Sequence, residues 1–595
     1  MILQALVHYY ETLARQGKIT SLGWCQERVS FVLELSEEGK LKRVVSLKQE
    51  TTLGKKTVWL PQIMTVPQRN SRASGIVANF LCDNSTYFLG IDDKERPDRA
   101  IQCFEAAKIH HHEILDGVDS LAAKAVLRFF DTWQPQQAKD NPILQDDLEE
   151  IFKNSNLIFE VNGLFVHEDE RVKQAWETVC SQTGTGKEGV CLVTGQHTEI
   201  ARIHSLIKGV SGAQSSGAAL VSFNAPAFES YGKEQSYNAP VGQYAVFAYT
   251  AALNSLIADR DHKTVLGDTT IVYWSEDGNE QYQNAFSFIT EPTIENQSIV
   301  DGVFKNLEKG LAVDIDNVAE SLDLNQRFYI LGLAPNAARL AVRFFYQDSF
   351  GNILKHLKEH YDRMEIVRPS DDNLEYLGTW RMLQETVNKK SRDKKPLPNL
   401  PSAVFRAMLS GGRYPAALYE AVLGRIRSEQ DDSEKQIYKI TRGRMAIIKA
   451  VLLQNAKMKK EDVQVSLNED LANIAYILGR EFAVLERIQQ EANPKINATI
   501  KDRYYNSACA TPASIFPILF KLKNSHIRKL KKVEDVNFYE DLLKQLQGKL
   551  EATENTKTAC PKRLTLEEQG MFNLGYYHQV LKLDEIKPKE EKKNG

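Results

Sequence analysis

The sequence has few cysteines for its length, and none of them form a close pair. Cys25, Cys82, Cys103, Cys180, Cys191, Cys509 and Cys560 are scattered over 595 residues without a CxxC step. That odd number and wide spacing argue against a disulfide framework and fit a reducing compartment. Long apolar runs are missing as well. Stretches such as Ala245 to Ala258 are interrupted by Tyr, Thr, Asn and Ser and fall short of the about 20 apolar residues that a membrane helix needs. The opening MILQALVHYYETLARQGK lacks the early basic residues and small-residue cleavage site of a signal peptide. It reads as an amphipathic helix of the mature fold, so the expected location is the cytoplasm. An excess of one charge is also absent: 75 Lys+Arg stand against 78 Asp+Glu, and 42% hydrophobic residues supply a sizeable core, which excludes the disordered and fibrous classes. At roughly 150 residues per domain, the length predicts two to four domains.

The balanced total hides an asymmetry. From Arg425 to Gly595 there are 31 Lys+Arg and 24 Asp+Glu, leaving 44 against 54 in the preceding 424 residues. A basic rear segment behind an acidic front suggests that part of the surface meets a polyanion, although a solvated helical face has the same composition. The front half reads as mixed α and β. Alternation from Arg28 to Leu60 around Glu38-Gly39 is a hairpin signal. Tyr87 to Ile91, Leu157 to Val166, Gly189 to Val193, Ala219 to Phe223 and Thr269 to Trp274 are strand-like, whereas Asp98 to Gln134 and Val303 to Ala319 are helical in pattern. From about Ala403 onward the periodicity is helical throughout. The class predicted is α+β: a mixed α/β domain over 1–400, a basic and proline-containing linker at about 388–401, and a helical region over 402–595 with a bundle at about 465–595. In that bundle Ser466 and Glu469 have capping-box spacing ahead of Leu471 to Ile488, further helices begin near Thr511-Pro512 and run from about Val536 to Leu550, and Thr565 with Glu568 announces the last. Phe482, Phe516, Phe520, Phe538 and Phe572 are expected in its core.

Several apparent motifs fail on spacing. Gly184 to Gly189, GTGKEG, has Ser181 and Glu188 where a phosphate loop needs Gly and Ser or Thr. His112 and Glu113 are followed by Asp116 instead of the second His of a zinc-protease helix. Cys180, Cys191, His197 and His204 lack the short paired step of a zinc finger, and Ser211 to Gly217 contains no GxSxG. No clustered carboxylates with two-metal spacing support a nuclease, Asp92-Asp93 alone being weak. The segment from Thr194 to Gly242 is different: it is dense in Gly, Ser, Ala, Asn and Gln, with Lys and aromatics at intervals. Glycines allow close backbone approach, and amides and hydroxyls contact phosphates, sugars or base edges. The alternative, a surface loop whose small residues turn corners, stands beside that reading. Lys521, Lys523, His526, Arg528, Lys529, Lys531 and Lys532 are predicted along one helix, as a phosphate-tracking face or a solvated one.

The block from Ile200 to Asn254, IARIHSLIKGVSGAQSSGAALVSFNAPAFESYGKEQSYNAPVGQYAVFAYTAALN, resembles the signature region of the large subunit of type I-C CRISPR Cascade complexes. MILQALVHYYETL at the start, Ser74 to Gly90, Phe328 to Phe345, Gly411 to Arg427, Leu478 to Pro517 and Gln569 to Gln579 resemble the same family in the same order, so the resemblance covers essentially the whole chain. It implies a non-catalytic subunit of an RNA-guided surveillance complex in antiviral defence, with no cofactor and no metal. Such a subunit recognises the protospacer-adjacent motif, helps open target DNA, supports the R-loop and recruits the helicase-nuclease, while base pairing reads the target. The implied partners are the guide RNA, double-stranded target DNA and its displaced strand, the other backbone and handle-capping subunits, the helicase-nuclease, and a small subunit made by internal translation of the same gene, with Met458, Val463 or Val465 as starts; no membrane is implied. The residues expected to contact nucleic acid are Lys208, Gln214, Ser215, Ser216, Asn224, Lys233, Gln235 and Asn238. A second set, for the flanking duplex, is Arg72, Ser74, Asn79 and Asn84, with turn and cap chemistry as its alternative. Lys521, Lys523, Arg528 and Lys529 form a third, for single-stranded DNA. A scaffold without base reading and an intrinsic nuclease are the competing readings.

Overall fold

Apolar and polar residues alternate on both sides of Gly39, and there the chain turns back on itself. In a computed structural model, strand Phe31–Leu35 pairs antiparallel with Leu41–Ser46, and Gly39 takes φ +78° beneath the Leu121–Thr132 helix. A Cβ at Gly39 would sit 2.6 Å from the Phe129 backbone nitrogen, so both its conformation and its neighbour demand glycine. The structure describes the chain apart from residues 54–55, 70–74, 93–95, 153–154, 182–185, 311–321, 495, 552–559 and 587–595, and apart from the side chains of 51–53, 56–58, 181 and 551. About 49% of the chain is helix and 16% strand, and the C-terminal region is helical, which is the α+β class expected.

The chain divides into two compact units. The first comprises Met1–Leu206 and Val221–Ser255. Its main sheet sets Phe31–Leu35 between Leu41–Ser46 and the parallel strand Asn156–Val161, with Cys82–Asn84 and Leu164–Phe165 beside the latter. Parallel pairing requires a long crossover, which carries the Pro97–Leu115 and Leu121–Thr132 helices. Phe88, Phe104, Phe129, Phe130 and Phe159 are buried together, with Phe88 stacked on Phe159 at 4.7 Å. The helical pattern expected over Asp98 to Gln134 is present as two helices, parted where Gly117 adopts φ +85°. Tyr87 to Ile91 is not a strand: Ser85–Phe88 is a short helix that turns Tyr87 and Phe88 into the core.

The second unit comprises Ile207–Leu220 and Leu256–Gly595. Its four-stranded antiparallel sheet runs Lys263–Leu266, Thr269–Ser275, Arg327–Asn336, Arg339–Ser349 in order. Every residue of Thr269–Ser275 is buried, as its unbroken β-branched and aromatic run requires. The Glu280–Thr290, Phe350–Met364 and Leu400–Ser410 helices share a continuous apolar core with this sheet, and that core extends to Leu583. The expected linker at 388–401 therefore lies inside the second unit, and Leu400 and Pro401 are buried at the head of a helix. Ala219 to Phe223 makes only an isolated bridge, from Ala219 to Arg339, and the strand near Gly189 is Glu188–Val190.

Among the C-terminal helices, Ile474–Ala492 is buried on all sides from Ala475 to Gln489. It starts later than the Ser466 and Glu469 spacing suggested, because the Asn473 side chain accepts from the Tyr476 N–H and closes the helix there. The Thr565 and Glu568 cap is present, each side chain accepting the other's backbone N–H, ahead of Leu566–Ile586. Ile500–Ala510, which sequence periodicity did not single out, carries its own capping box from Thr499 and Asp502. Phe482, Phe516 and Phe572 are buried, and Phe520 and Phe538 pack partly buried against the same core.

Candidate nucleic-acid interface

The glycine-rich segment contributes to both units, with 207–220 belonging to the second and the flanking stretches to the first. In the second unit, Ile207 and Ala218 close a loop through two backbone hydrogen bonds of 2.9 Å. The Ser211 N–H donates to Thr270 Oγ1 at 3.0 Å, and Ala219 bridges Arg339, so the loop stands against the sheet. Gly209, Gly212 and Gly217 all take positive φ, which lets the backbone fold tightly enough to push Gln214, Ser215 and Ser216 outward. These three and Lys208 are exposed on one loop, offering hydroxyls, an amide and one ammonium within a few residues of accessible backbone.

In the first unit, Ser230 to Lys233 forms a tight turn closed by the Lys233 N–H on Ser230 O at 3.0 Å. Both central residues have positive φ, Tyr231 at +53° and Gly232 at +66°, the geometry of a type I′ hairpin turn. Tyr231 is 99% exposed. A bulky side chain in the left-handed region costs on the order of 1 kcal/mol, and here nothing packs on the ring to compensate. The turn is held from inside the loop. Asn238 accepts the Ser230 N–H at 2.8 Å and donates to the carbonyls of Lys233 and Gln235 at 2.7 and 2.9 Å. Gln235 accepts from Arg202 Nε at 2.7 Å, and its N–H donates to Glu229 Oε1 at 3.2 Å. Gln235 and Asn238, expected as contact residues, are therefore placed as supports of the hairpin that displays Tyr231 and Lys233. Asn224 is exposed on the approach to it. Behind the loop, His204 Nδ1 meets the Tyr249 hydroxyl at 2.8 Å, and burial lowers its pKa to about 4, so the imidazole is neutral.

Of the second expected set, Arg72 and Ser74 lie outside the described residues. Asn79 is only 1% exposed, and Asn84 is half-buried at the cap of the Ser85–Phe88 helix. Both backbone N–H groups donate to the buried Asp83 carboxylate at 2.9 Å. The adjoining Leu81, at φ +51°, donates its N–H to His111 Nε2 at 3.0 Å, while His111 Nδ1 donates to Ala107 O. Burial pushes the His111 pKa down to about 3. The polar atoms here build a turn, the alternative held open for these residues.

In the third set, Lys521 and Lys523 lie on Pro512–Ile527, but the helix ends at Ile527; Arg528 is its C-cap and Lys529 follows in the turn. Cations there complement the negative end of the helix. Lys523 pairs with Glu540 at 2.8 Å and its side chain is 12% exposed, which neutralises it within the bundle. Lys521, Arg528 and Lys529 remain outward, and Lys529 Nζ reaches Asn493 Oδ1 at 3.4 Å. Among the described residues no group of three or more His, Cys, Asp and Glu is placed to hold a metal ion, and no helix is long and apolar enough to cross a membrane.

A family model described as CRISPR-associated protein (Cas_Csd1) matches residues 6–583. No curated protein matches the chain.

Proposed function

We propose, because this chain belongs to the Cas_Csd1 family of CRISPR-associated proteins, that it is the non-catalytic large subunit of a type I-C Cascade complex and reads the motif flanking the target. The observation that carries the reading is the type I′ turn that holds Tyr231 fully exposed beside Lys233. An exposed aromatic ring on a rigid tip stacks on a base at the end of an opened duplex, and the neighbouring ammonium meets a phosphate. Gln235 and Asn238 are positioning residues for that tip. On the other loop Lys208, Gln214, Ser215 and Ser216 contact a nucleic-acid backbone, at the flanking duplex or the guide's handle. Lys521, Arg528 and Lys529 follow the displaced strand, the C-terminal helices also forming the small subunit when translated separately. The assembled complex then recruits the helicase-nuclease, which alone cuts.

The test is target-duplex binding by the guide-loaded complex, reconstituted with and without this chain, on duplexes with a permissive or a scrambled flanking trinucleotide. Discrimination that appears only with the chain is the expected result; equal binding in its absence would assign motif reading elsewhere and leave a scaffold. Purified chain with magnesium is expected to leave DNA and RNA intact, and a metal-dependent product would overturn the non-catalytic reading. Tyr231→Gly sharpens the test. Glycine relieves the left-handed backbone, so the variant is expected to fold at least as stably as the parent, yet to bind the permissive duplex about tenfold more weakly, since a stacked base is worth about 1–3 kcal/mol. Tyr231→Phe is expected to bind as the parent does. Unchanged binding by Tyr231→Gly removes the ring from the interface.

A further inference from the structure

The first unit carries a β-ribbon that departs from its main sheet. Strand Leu41–Ser46 runs on into Gln49–Leu53, which pairs antiparallel with Lys56–Leu60. The chain then passes Pro61 into Gln62–Pro67, paired antiparallel with Trp24–Val29. Gln49–Leu53 and Lys56–Leu60 form a sheet of two strands, with no third strand on either edge among the described residues. In an antiparallel pair every second residue points its N–H and C=O away from its partner, so both edges of the ribbon present unpaired backbone groups. A lone pair of five-residue strands is marginally stable in water and gains stability from what is laid against it.

The base of the ribbon shows apolar side chains instead of hiding them. Trp59 is 63% exposed, Leu60 39% and Ile63 64%. Elsewhere in this unit comparable side chains, such as Trp24 and Met64, are inside. Ile63 and Thr65 alternate with the buried Met64 and Val66, so they lie on the outer face of Gln62–Pro67, across from the exposed Arg28 and Gln26. On that face Gln26 Nε2 donates to Thr65 Oγ1 at 2.8 Å. Gln26 and Thr65 also line a cavity of about 330 Å³, so the exposed apolar residues and the cavity belong to one surface.

Charge along this surface decides which partner fits it. Around the cavity Lys18 and Lys173 stand against Glu168 and Glu177, and on the strands Arg28 stands against Glu50, three charges of each sign. Over 49–63 the sequence adds only Lys55 and Lys56. His167, which also lines the cavity, is neutral, because burial first and the charge of Lys173 second lower its pKa to about 4. Nucleic acid is held through many phosphate contacts by clustered Lys and Arg, which a strip with so little net charge does not offer. A protein strand is the better match: it supplies N–H and C=O groups to the open edge and apolar side chains to Trp59 and Ile63.

We propose that a β-strand of another protein subunit adds to the free edge of Lys56–Leu60, with Trp59 as its apolar anchor. This rests on the reading of the chain as a subunit of a guide-loaded complex, and it assigns a protein contact separate from the Tyr231 hairpin. The experiment adds the full chain, with Trp59 replaced by p-benzoylphenylalanine, to the guide-loaded complex assembled from the other subunits. Ultraviolet crosslinks are expected to a protein subunit other than this chain, identified by peptide mass spectrometry. The amides of 56–60 are expected to exchange more slowly in the complex than in the free chain, as newly paired edge groups do. Trp59→Ala is expected to weaken joining about 30-fold, the equivalent of about 2 kcal/mol at an interface tryptophan. Trp59 belongs to neither apolar cluster of the unit, so an unchanged melting temperature is the accompanying control. Ile109→Ala, at a position 58% exposed on the Pro97–Leu115 helix, is expected to join as the parent does. Crosslinks only to guide RNA or target DNA would make the ribbon a nucleic-acid contact and overturn the proposal, as would crosslinks only to a second copy of this chain. If Trp59→Ala joins with the parent's affinity and the 56–60 amides exchange unchanged, strand addition falls while the large-subunit reading survives. Failure of the parent chain to join the complex overturns both.

Discussion

Gly479→Ala is expected to destabilise the helical part of the second unit by about 3 kcal/mol or more, although the same change at an open helical site stabilises a protein by up to about 1 kcal/mol. The reason lies in how the Ile474–Ala492 and Leu566–Ile586 helices meet. A Cβ at Gly479 would lie 2.0 Å from the Phe572 carbonyl oxygen, and a Cβ at Gly575 would lie 2.1 Å from the Tyr476 carbonyl oxygen. The two glycines thus let each backbone rest on the other. No side-chain rotation relieves a clash with main chain, so the helices must separate, and the contacts between them open together. Those include Tyr476 Oη with His578 Nδ1 at 2.9 Å, Arg480 Nε with Gln579 Oε1 at 2.9 Å, and the Phe482 and Phe572 rings at 6.2 Å. Gly548 on Val533–Glu551 supplies the control, since a Cβ there meets nothing within 4 Å. Gly548→Ala is expected to raise stability by about 0.5–1 kcal/mol. Thermal denaturation followed by circular dichroism reads both signs. A Gly479→Ala protein that melts with the parent would mean that the two helices do not pack backbone to backbone.

That crossing shows where the sequence was readable and where it was not. The three- and four-residue steps of Leu478, Phe482, Leu485 and Ile488 marked a core-facing helix, and Thr565 with Glu568 marked the start of its neighbour, because periodicity and capping are local properties. The burial of Arg480 and Arg487 on the opposite face, and of Glu486 at the flank, is not local, since Gln579, Asp584 and Tyr576 of the Leu566–Ile586 helix cover them. Ser466 and Glu469 carried the same capping signature as Thr565 and Glu568, yet Asn473 took over the role. The candidate interface divides the same way. Glycine density marked the 194–242 segment, but amide side chains look alike whether they face a ligand or brace a turn, and Gln235 and Asn238 brace one. Tyr231 is one of several aromatics in that segment, and composition alone does not separate it from Phe223, Phe228 or Tyr237. The available signal was Tyr-Gly at the centre of a short turn between Ser230 and Lys233, where glycine fits a positive φ and tyrosine does not. The basic run near the C-terminus was visible as charge, but its division between helix and turn depended on a helix end that composition does not mark.

Glu481→Gln is expected to gain stability over the parent as pH rises, by on the order of 4 kcal/mol at pH 8.5. Glu481 is 1% exposed on Ile474–Ala492, and neither carboxyl oxygen has a hydrogen-bond partner among the described residues. Burial raises its pKa from 4.5 to about 8. The Cys560 thiol has its own pKa pushed up to about 11, first by burial and then by the Glu481 charge, so it stays neutral over the same range. Between pH 4.5 and 8 the folded chain keeps a proton that the unfolded chain has released, so this carboxyl contributes fully below pH 4.5 and its contribution is lost as pH rises through 8. Glutamine has the same shape without titrating, and the difference between the two proteins should therefore be small at pH 5 and grow steadily to pH 8.5. Buried histidines act in the opposite direction. His111, His360 and His578 have pKa values lowered to about 3 by burial, so they stay neutral in the fold and withdraw stability as pH falls below 6.5. The parent's own pH curve mixes both trends, and only the difference between parent and variant isolates Glu481, because the histidines are common to both. Denaturant melts at four pH values measure it. A difference that stays flat with pH would mean that the carboxyl is already satisfied by water or by a partner, and the buried acid would cease to be a weak point of the bundle. A difference that grows would place the bundle's instability above neutral pH, where binding by Lys521, Arg528 and Lys529 has to be compared at one fixed pH to report on charge instead of folding.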